Sequence, residues 1–295
     1  MRFIVARKND GTALYAVDGA QARDLTAVDA GLGDDLTTLT QLGADGLARA
    51  AAAARAVGRT EALADLVPAL PLRRPGKIVC LGLNYVEHAR EGGYDIPDYP
   101  AMFMRPVTSM IAAGAPMVRP NCSKTLDYEA ELMVIVGRGG RHIAEADALD
   151  HVFGYTAFND GSVREYQRKT HQWATGKMFD GTGAVGPVVV TPDEVPPGAA
   201  GLRIAIRLNG ETMQNSNTEN MMFPVAKTIA IISEFTTLEP GDMIALGTPP
   251  GVGHARRPPV WMKPGDVIEV EIEGIGICRN PIVAEGDAAM TEAAE

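Results

Sequence analysis

Asp127-Tyr128-Glu129-Ala130-Glu131-Leu132-Met133-Val134-Ile135-Val136 is the stretch from which the fold is read. In a strand, alternate residues share a face. Glu129 and Glu131 therefore point the same way, and Met133 and Ile135 continue that face. The opposite face, Tyr128, Ala130, Leu132, Val134 and Val136, is apolar throughout. Such a strand is expected to be buried on both sides. Outward from it, further strands are expected over Lys77–Gly82, Val152–Asn159, Leu202–Leu208, Asp242–Leu246 and Val267–Ile277. Asn209-Gly210 is a two-residue hairpin turn. Helices are expected only at about Ser162–Lys169 and Phe223–Phe235 in this part of the chain. The 32 glycines and 20 prolines suit many turns. This pattern is a β-rich α+β domain, not alternating βαβ units.

The first 70 or so residues read as a small separate α/β unit. Arg2–Ala6 and Leu14–Val17 flank the hairpin signal Asn9-Asp10-Gly11. Ala48–Val57 is an Ala-rich helix stopped by Gly58. Pro68, Pro71 and Pro75 punctuate a linker to the main domain, 75–285, and 286–295 reads as a flexible tail. Mean hydropathy is −0.02. No apolar run reaches the roughly 18 residues of a membrane helix, and Met1–Val5 lacks the core of a signal peptide. A cytoplasmic protein is expected. Net charge is −10. That field opposes nucleic acid and anionic lipid. It also opposes an acidic substrate unless the site carries local positive charge. Cys80, Cys122 and Cys278 form no CxxC and no disulfide framework.

Two carboxylates on a doubly buried strand need a cation, whereas on a solvated face they need none. Asp160 ends the next strand. It either caps the following helix, where Ser162 and Glu165 make a capping box, or serves as a third carboxylate. Three hard oxygen ligands with no His or Cys at zinc spacing favour Mg²⁺ or Mn²⁺, with Ca²⁺ as another occupant. Lys177, between apolar neighbours, either snorkels or, in a metal site, donates to an oxygen that gains charge. His88 and Glu91 lie three apart, on one face of a helical turn. Glu91 can then orient His88 as a base. His142, His151, His171 and His254 lack such a partner and read as structural or surface.

Gly82-Leu83-Asn84-Tyr85-Val86-Glu87-His88-Ala89-Arg90-Glu91 resembles the G-x-N-Y-x-x-H-x-x-E signature of the fumarylacetoacetate hydrolase family. Asp127-Tyr128-Glu129-Ala130-Glu131, Asn159-Asp160 with Arg164 and Gln167, and Gly176-Lys177-x-Phe179-Asp180 follow in the same order. So do Gln214-x-x-Asn217-Thr218, Gly247-Thr248-Pro249-Pro250-Gly251 and Pro264-Gly265-Asp266. The resemblance covers residues 75–285. It implies a mixed β-sandwich or roll, with Glu129, Glu131 and Asp160 as metal ligands and Lys177 as the active-site lysine. It places Gln167, Gln214 and Thr248 against substrate and His88 with Glu91 on a mobile lid. It further implies a small 2-oxo acid as partner and a homodimer.

This sequence departs from the family at Phe103-Met104-Arg105-Pro106, where Lys is common. Arg prefers bidentate carboxylate pairing, so Arg105 either meets a substrate carboxylate, the role assigned to it, or carries no signal. The reaction implied first is hydrolysis of a C–C bond in a 2,4-dioxo acid. The metal would chelate the carboxylate and 2-oxo group, His88 would activate water, and Lys177 would stabilise the enolate left by cleavage. The second is isomerisation, tautomerisation or decarboxylation through the same enolate without water. A non-catalytic ligand-binding relative is a third reading, opposed by the presence of every residue named.

Overall fold

The computed structural model describes residues 1–9 and 11–287. Ala130–Val136 is a strand with every residue buried. It pairs antiparallel with Val152–Asp160 on one side and Met243–Ala245 on the other. Its apolar run from Leu132 to Val136, ending in β-branched residues, suits a central strand of a covered sheet. Among the described residues this sheet has 12 strands. Beyond Met243–Ala245 lie Ile78–Gly82, parallel to it, and the edge strand Ala101–Met104. A second sheet, of five strands among the described residues, carries Arg203–Leu208, Glu211–Asn217 and Val267–Ile272.

The two faces of the central strand feed two cores. Leu132 and Val134 pack with Ile204, Ile206 and Val270 of the second sheet. Met133 and Ile135 pack with Phe3, Leu14, Leu36 and Leu39. Full burial of each such side chain is worth about 1.5–3 kcal/mol. The two cores grip from both sides the strand that carries Glu131 and that Glu129 immediately precedes. The fold is β-rich α+β with mixed sheets, as expected.

The segment expected to stand apart, 1–70, continues the large sheet. Arg2–Ile4 pairs antiparallel with Val188–Val190, and Arg2–Lys8 pairs with Gly11–Asp18. Asp10 of the expected turn, and the expected tail from residue 288 on, lie outside the described residues.

The helix expected at Ala48–Val57 begins earlier, as α1 (Leu36–Ala56). Asp35 caps it by accepting from the Thr37 amide at 2.8 Å. Gly43 interrupts its helical backbone, and burial of Leu36 and Leu39 holds the part before it. The run Val267–Ile277 is two strands, turned at Gly274 with a positive φ of 72°. Asn209 and Gly210 both have positive φ and make the expected hairpin. Two further helices are α2 (Val86–Glu91) and α3 (Arg164–Gln167), followed by α4 (Val225–Phe235). Among the described residues no helix is long and apolar enough to cross a membrane.

Candidate active site

Strand pairing assembles the acidic floor. Ala130 stands opposite Asn159, so Glu129 and Asp160 meet where the two strands end. The Asp160 amide donates to the Glu129 carbonyl at 3.0 Å, and the Glu129 amide donates to Asn159 Oδ1 at 3.0 Å. One carboxylate oxygen each from Glu129, Glu131 and Asp160 lie within 4.8 Å of one another, all three residues buried. The capping alternative for Asp160 is not what forms. Ser162 and Val163 pair as a short strand with Leu126 and Asp127, and Ser162 Oγ donates to the Asp160 carbonyl. Glu165 instead accepts from Ser123 Oγ.

Three basic side chains meet these acids. Lys177 Nζ lies 2.6 Å from Glu129 Oε2 and 2.5 Å from Asp160 Oδ2. Arg164 pairs with Asp127 at 2.8 Å and Glu129 at 2.6 Å. Arg105 pairs with Asp160 at 2.6 Å. Lys177 reaches the floor because the chain behind it packs tightly. A Cβ on Gly176 would lie 2.5 Å from the Gln167 backbone nitrogen. Burial pushes the Glu129 carboxyl up, but Arg164 and Lys177 outweigh it and hold it well below the usual range. Burial likewise opposes the Lys177 charge, and Asp160 and Glu129 override it, raising its pKa.

Glu131 differs. Burial, then the charges of Asp160 and Glu129, push its carboxyl well above the usual range. Its hydrogen-bond donor is the Gly247 amide at 2.9 Å. The trio therefore holds more negative charge than its side-chain partners balance at Glu131. An all-carboxylate set short of one counter-charge fits a hard divalent cation.

The wall comes from loops. His88 Nδ1 lies 2.9 Å from Glu91 Oε1 on α2, at the expected spacing. Glu91 also accepts from the Gly251 amide at 3.0 Å, tying α2 to the loop that carries Thr248. Asp127 anchors the same loop from below. It accepts from the Gly253 amide at 2.8 Å, the His254 amide at 3.0 Å and Arg164 Nε at 2.8 Å. Asp127→Asn should lower stability by about 2–4 kcal/mol, because the amide leaves buried donors unpaired beside Arg164. Urea unfolding of the variant checks this; a loss below about 0.5 kcal/mol would mean the anchor is dispensable.

His88, Glu129, Glu131, Gln167, Lys177 and Thr248 line one cavity of about 40 Å³. Four expected residues stand behind it: Asp160, buried beside Glu129 and Glu131, and three more. Glu91 reaches it through His88. Gln214 is buried and spent on the protein, accepting from the Ala130 amide at 2.9 Å and donating to Thr248 Oγ1 at 2.9 Å. Arg105 is the clearest departure from expectation. Its side chain is fully buried, bonded to Asp160, to the Gly161 carbonyl at 3.0 Å, to Thr182 Oγ1 at 2.9 Å and to Ser109 Oγ at 3.2 Å. Its carboxylate partner is the protein's own Asp160, which leaves no fork for a substrate.

The cavity also has walls to which sequence reading gave no site role. Arg164, Arg168, Tyr94, Trp173 and His254 all line it. The Tyr94 ring meets the Trp173 ring edge-on, 6.1 Å between centroids, so the segment after α2 rests on the segment before Lys177. His254, read as structural or surface, belongs here. The signal available was the basic run His254-Ala255-Arg256-Arg257 in an otherwise acidic chain.

Comparison with known proteins identifies the family. Residues 77–283 match the family model of the fumarylacetoacetate (FAA) hydrolase C-terminal domain. The chain is 38% identical over 290 residues to the mitochondrial oxaloacetate tautomerase of Xenopus laevis, covering 96% of this chain and 90% of that protein. Its fold is similar to that of a putative HpcE protein from Mycobacterium smegmatis, with a TM-score of 0.85, 33% identity, and coverage of 96% and 99%. It is also similar to a fumarylacetoacetate hydrolase from Exiguobacterium antarcticum, with a TM-score of 0.83, 32% identity, and coverage of 97% and 100%. A matched span of this length, carrying the acidic trio, Lys177 and the His88–Glu91 pair, places the chain in the fumarylacetoacetate hydrolase family.

Proposed function

We propose that the chain is a metal-dependent enzyme that interconverts the keto and enol forms of a short 2-oxo acid. The observation that carries this is the convergence of His88, Lys177, Glu129 and Glu131 on one narrow cavity, with the Asp160 carboxylate grouped with the other two acids. Glu129, Glu131 and Asp160 would hold Mg²⁺ or Mn²⁺, which supplies Lewis-acid polarisation when bound. With Nδ1–H donated to Glu91, His88 Nε2 keeps its lone pair. It can take the proton from C3 of the keto acid and return it in the reverse direction. Lys177 keeps its charge beside Glu129 and Asp160 and can donate to an oxygen that gains charge. The small cavity favours a short substrate, and the similarity to an oxaloacetate tautomerase supports the same choice.

Hydrolysis of a C–C bond in a 2,4-dioxo acid is the second reading. The His88–Glu91 pair favours it, since a carboxylate-oriented imidazole is also what water activation needs. The likeness to a fumarylacetoacetate hydrolase supports it as well. The test is to follow loss of the oxaloacetate enol and cleavage of an acylpyruvate on the same preparation. EDTA should abolish whichever activity is present, and Mg²⁺ or Mn²⁺ should restore it. Full activity in rigorously metal-free protein would overturn both readings.

A further inference from the structure

The two ends of the cavity differ in charge balance. At the floor, Lys177 and Arg164 are both paired with carboxylates. At the mouth, Arg168 is not. It follows α3 directly, is exposed and lines the cavity. Among the described residues its one hydrogen-bonding side-chain partner is His254, whose Nε2 meets Arg168 Nη2. An imidazole nitrogen that accepts from a guanidinium is unprotonated. Burial, with Arg164 and Arg168 adding to it, lowers the His254 pKa to about 4, in agreement. The contact therefore orients Arg168 without cancelling its charge, which a carboxylate partner would do.

The orientation is built in. The His254 amide donates to Asp127 Oδ2, the oxygen that also accepts from Arg164 Nε. One buried aspartate thus fixes the mouth and the floor relative to each other. In a chain of net charge −10, an uncancelled guanidinium held over a cavity is suited to an anionic group.

We propose that Arg168 binds the distal carboxylate of a short 2-oxo dicarboxylic acid, with His254 as its positioning residue, so that diacids are selected over mono-acids. This rests on the enolising function proposed above. The test measures Mg²⁺-dependent exchange of the C3 protons with D₂O, by NMR, for oxaloacetate and for 2-oxobutyrate, which has four carbons but no distal carboxylate. Wild type should act on oxaloacetate at far lower concentration. Arg168→Gln should raise the oxaloacetate KM roughly 10- to 100-fold, the loss of one charge-assisted contact, with kcat nearly unchanged. The KM for 2-oxobutyrate should stay within about twofold. Arg168→Lys should recover part of the loss. His254→Ala should raise the same KM less, and His254→Gln, which restores an acceptor, should reverse it.

Equal KM changes for the two acids would make Arg168 structural, and an unchanged oxaloacetate KM would remove it from binding. Wild type with no preference between the acids would also overturn the proposal, while leaving the enolising function intact. Wild type that exchanges neither acid above the buffer rate would defeat that function and this proposal with it.

Discussion

Lys177→Met is expected to cut the enolisation rate by roughly 10²- to 10³-fold and to destabilise the metal-free protein by about 3–5 kcal/mol. Both effects come from one geometry. The ammonium sits between Glu129 and Asp160 at 2.6 and 2.5 Å, and all three side chains are buried. Methionine fills similar space but leaves the acids sharing a dry site with less positive charge. Arg164 and Arg105 each still meet one of them, so the fold should survive. Mg²⁺ should narrow the stability gap, because it binds the folded state and supplies the missing charge. Urea unfolding with EDTA and then with Mg²⁺, beside initial rates, reads both effects. Normal rate and normal metal-free stability in Lys177→Met would mean the lysine only buries its stem.

His88→Ala should lower the rate by about 10²–10⁴, the usual loss of a general base. Binding of oxalate, which has no carbon acid to deprotonate, should change little. Glu91→Ala should act on the same step, less than additively with His88→Ala, since the two touch at 2.9 Å. Glu91 also holds the Gly251 amide, so its variant should loosen the Thr248 loop as well. The variant pair bears on the reaction type too. If His88→Ala removes acylpyruvate cleavage but leaves the oxaloacetate enol–keto rate within about twofold, the histidine serves water and not C3.

The acidic floor was legible because period-two alternation is local. Glu129 and Glu131 share a face whatever surrounds them. The hairpin at Asn209-Gly210 was legible for the same reason, since its two positive φ angles are met by those residue types. What failed depends on distant partners. Arg105 looked available for substrate because nothing near it in sequence reveals that Asp160 and Thr182 consume its donors. His254 and Arg168 meet across 86 residues, so neither suggests the other. Arg2 pairs with Val190, far along the chain and inside the main domain, which makes the first strands part of the large sheet. The early start of α1 was hidden by Gly43 and Gly46, poor helix formers that burial of Leu36 and Leu39 outweighs.

The central claim is that Glu129, Glu131 and Asp160 form one divalent-cation site on which activity depends. Mn²⁺ binding followed by electron paramagnetic resonance, in wild type and in Glu131→Gln, tests it most directly. Glu131 is the informative position because among the described residues it has no side-chain cation of its own and is crowded by two carboxylates. The account predicts one Mn²⁺ per chain in wild type, displaced by Mg²⁺. In Glu131→Gln it predicts affinity lower by roughly tenfold or more, with activity falling in parallel. Unchanged Mn²⁺ affinity in Glu131→Gln, or undiminished activity when the ion is gone, would contradict it.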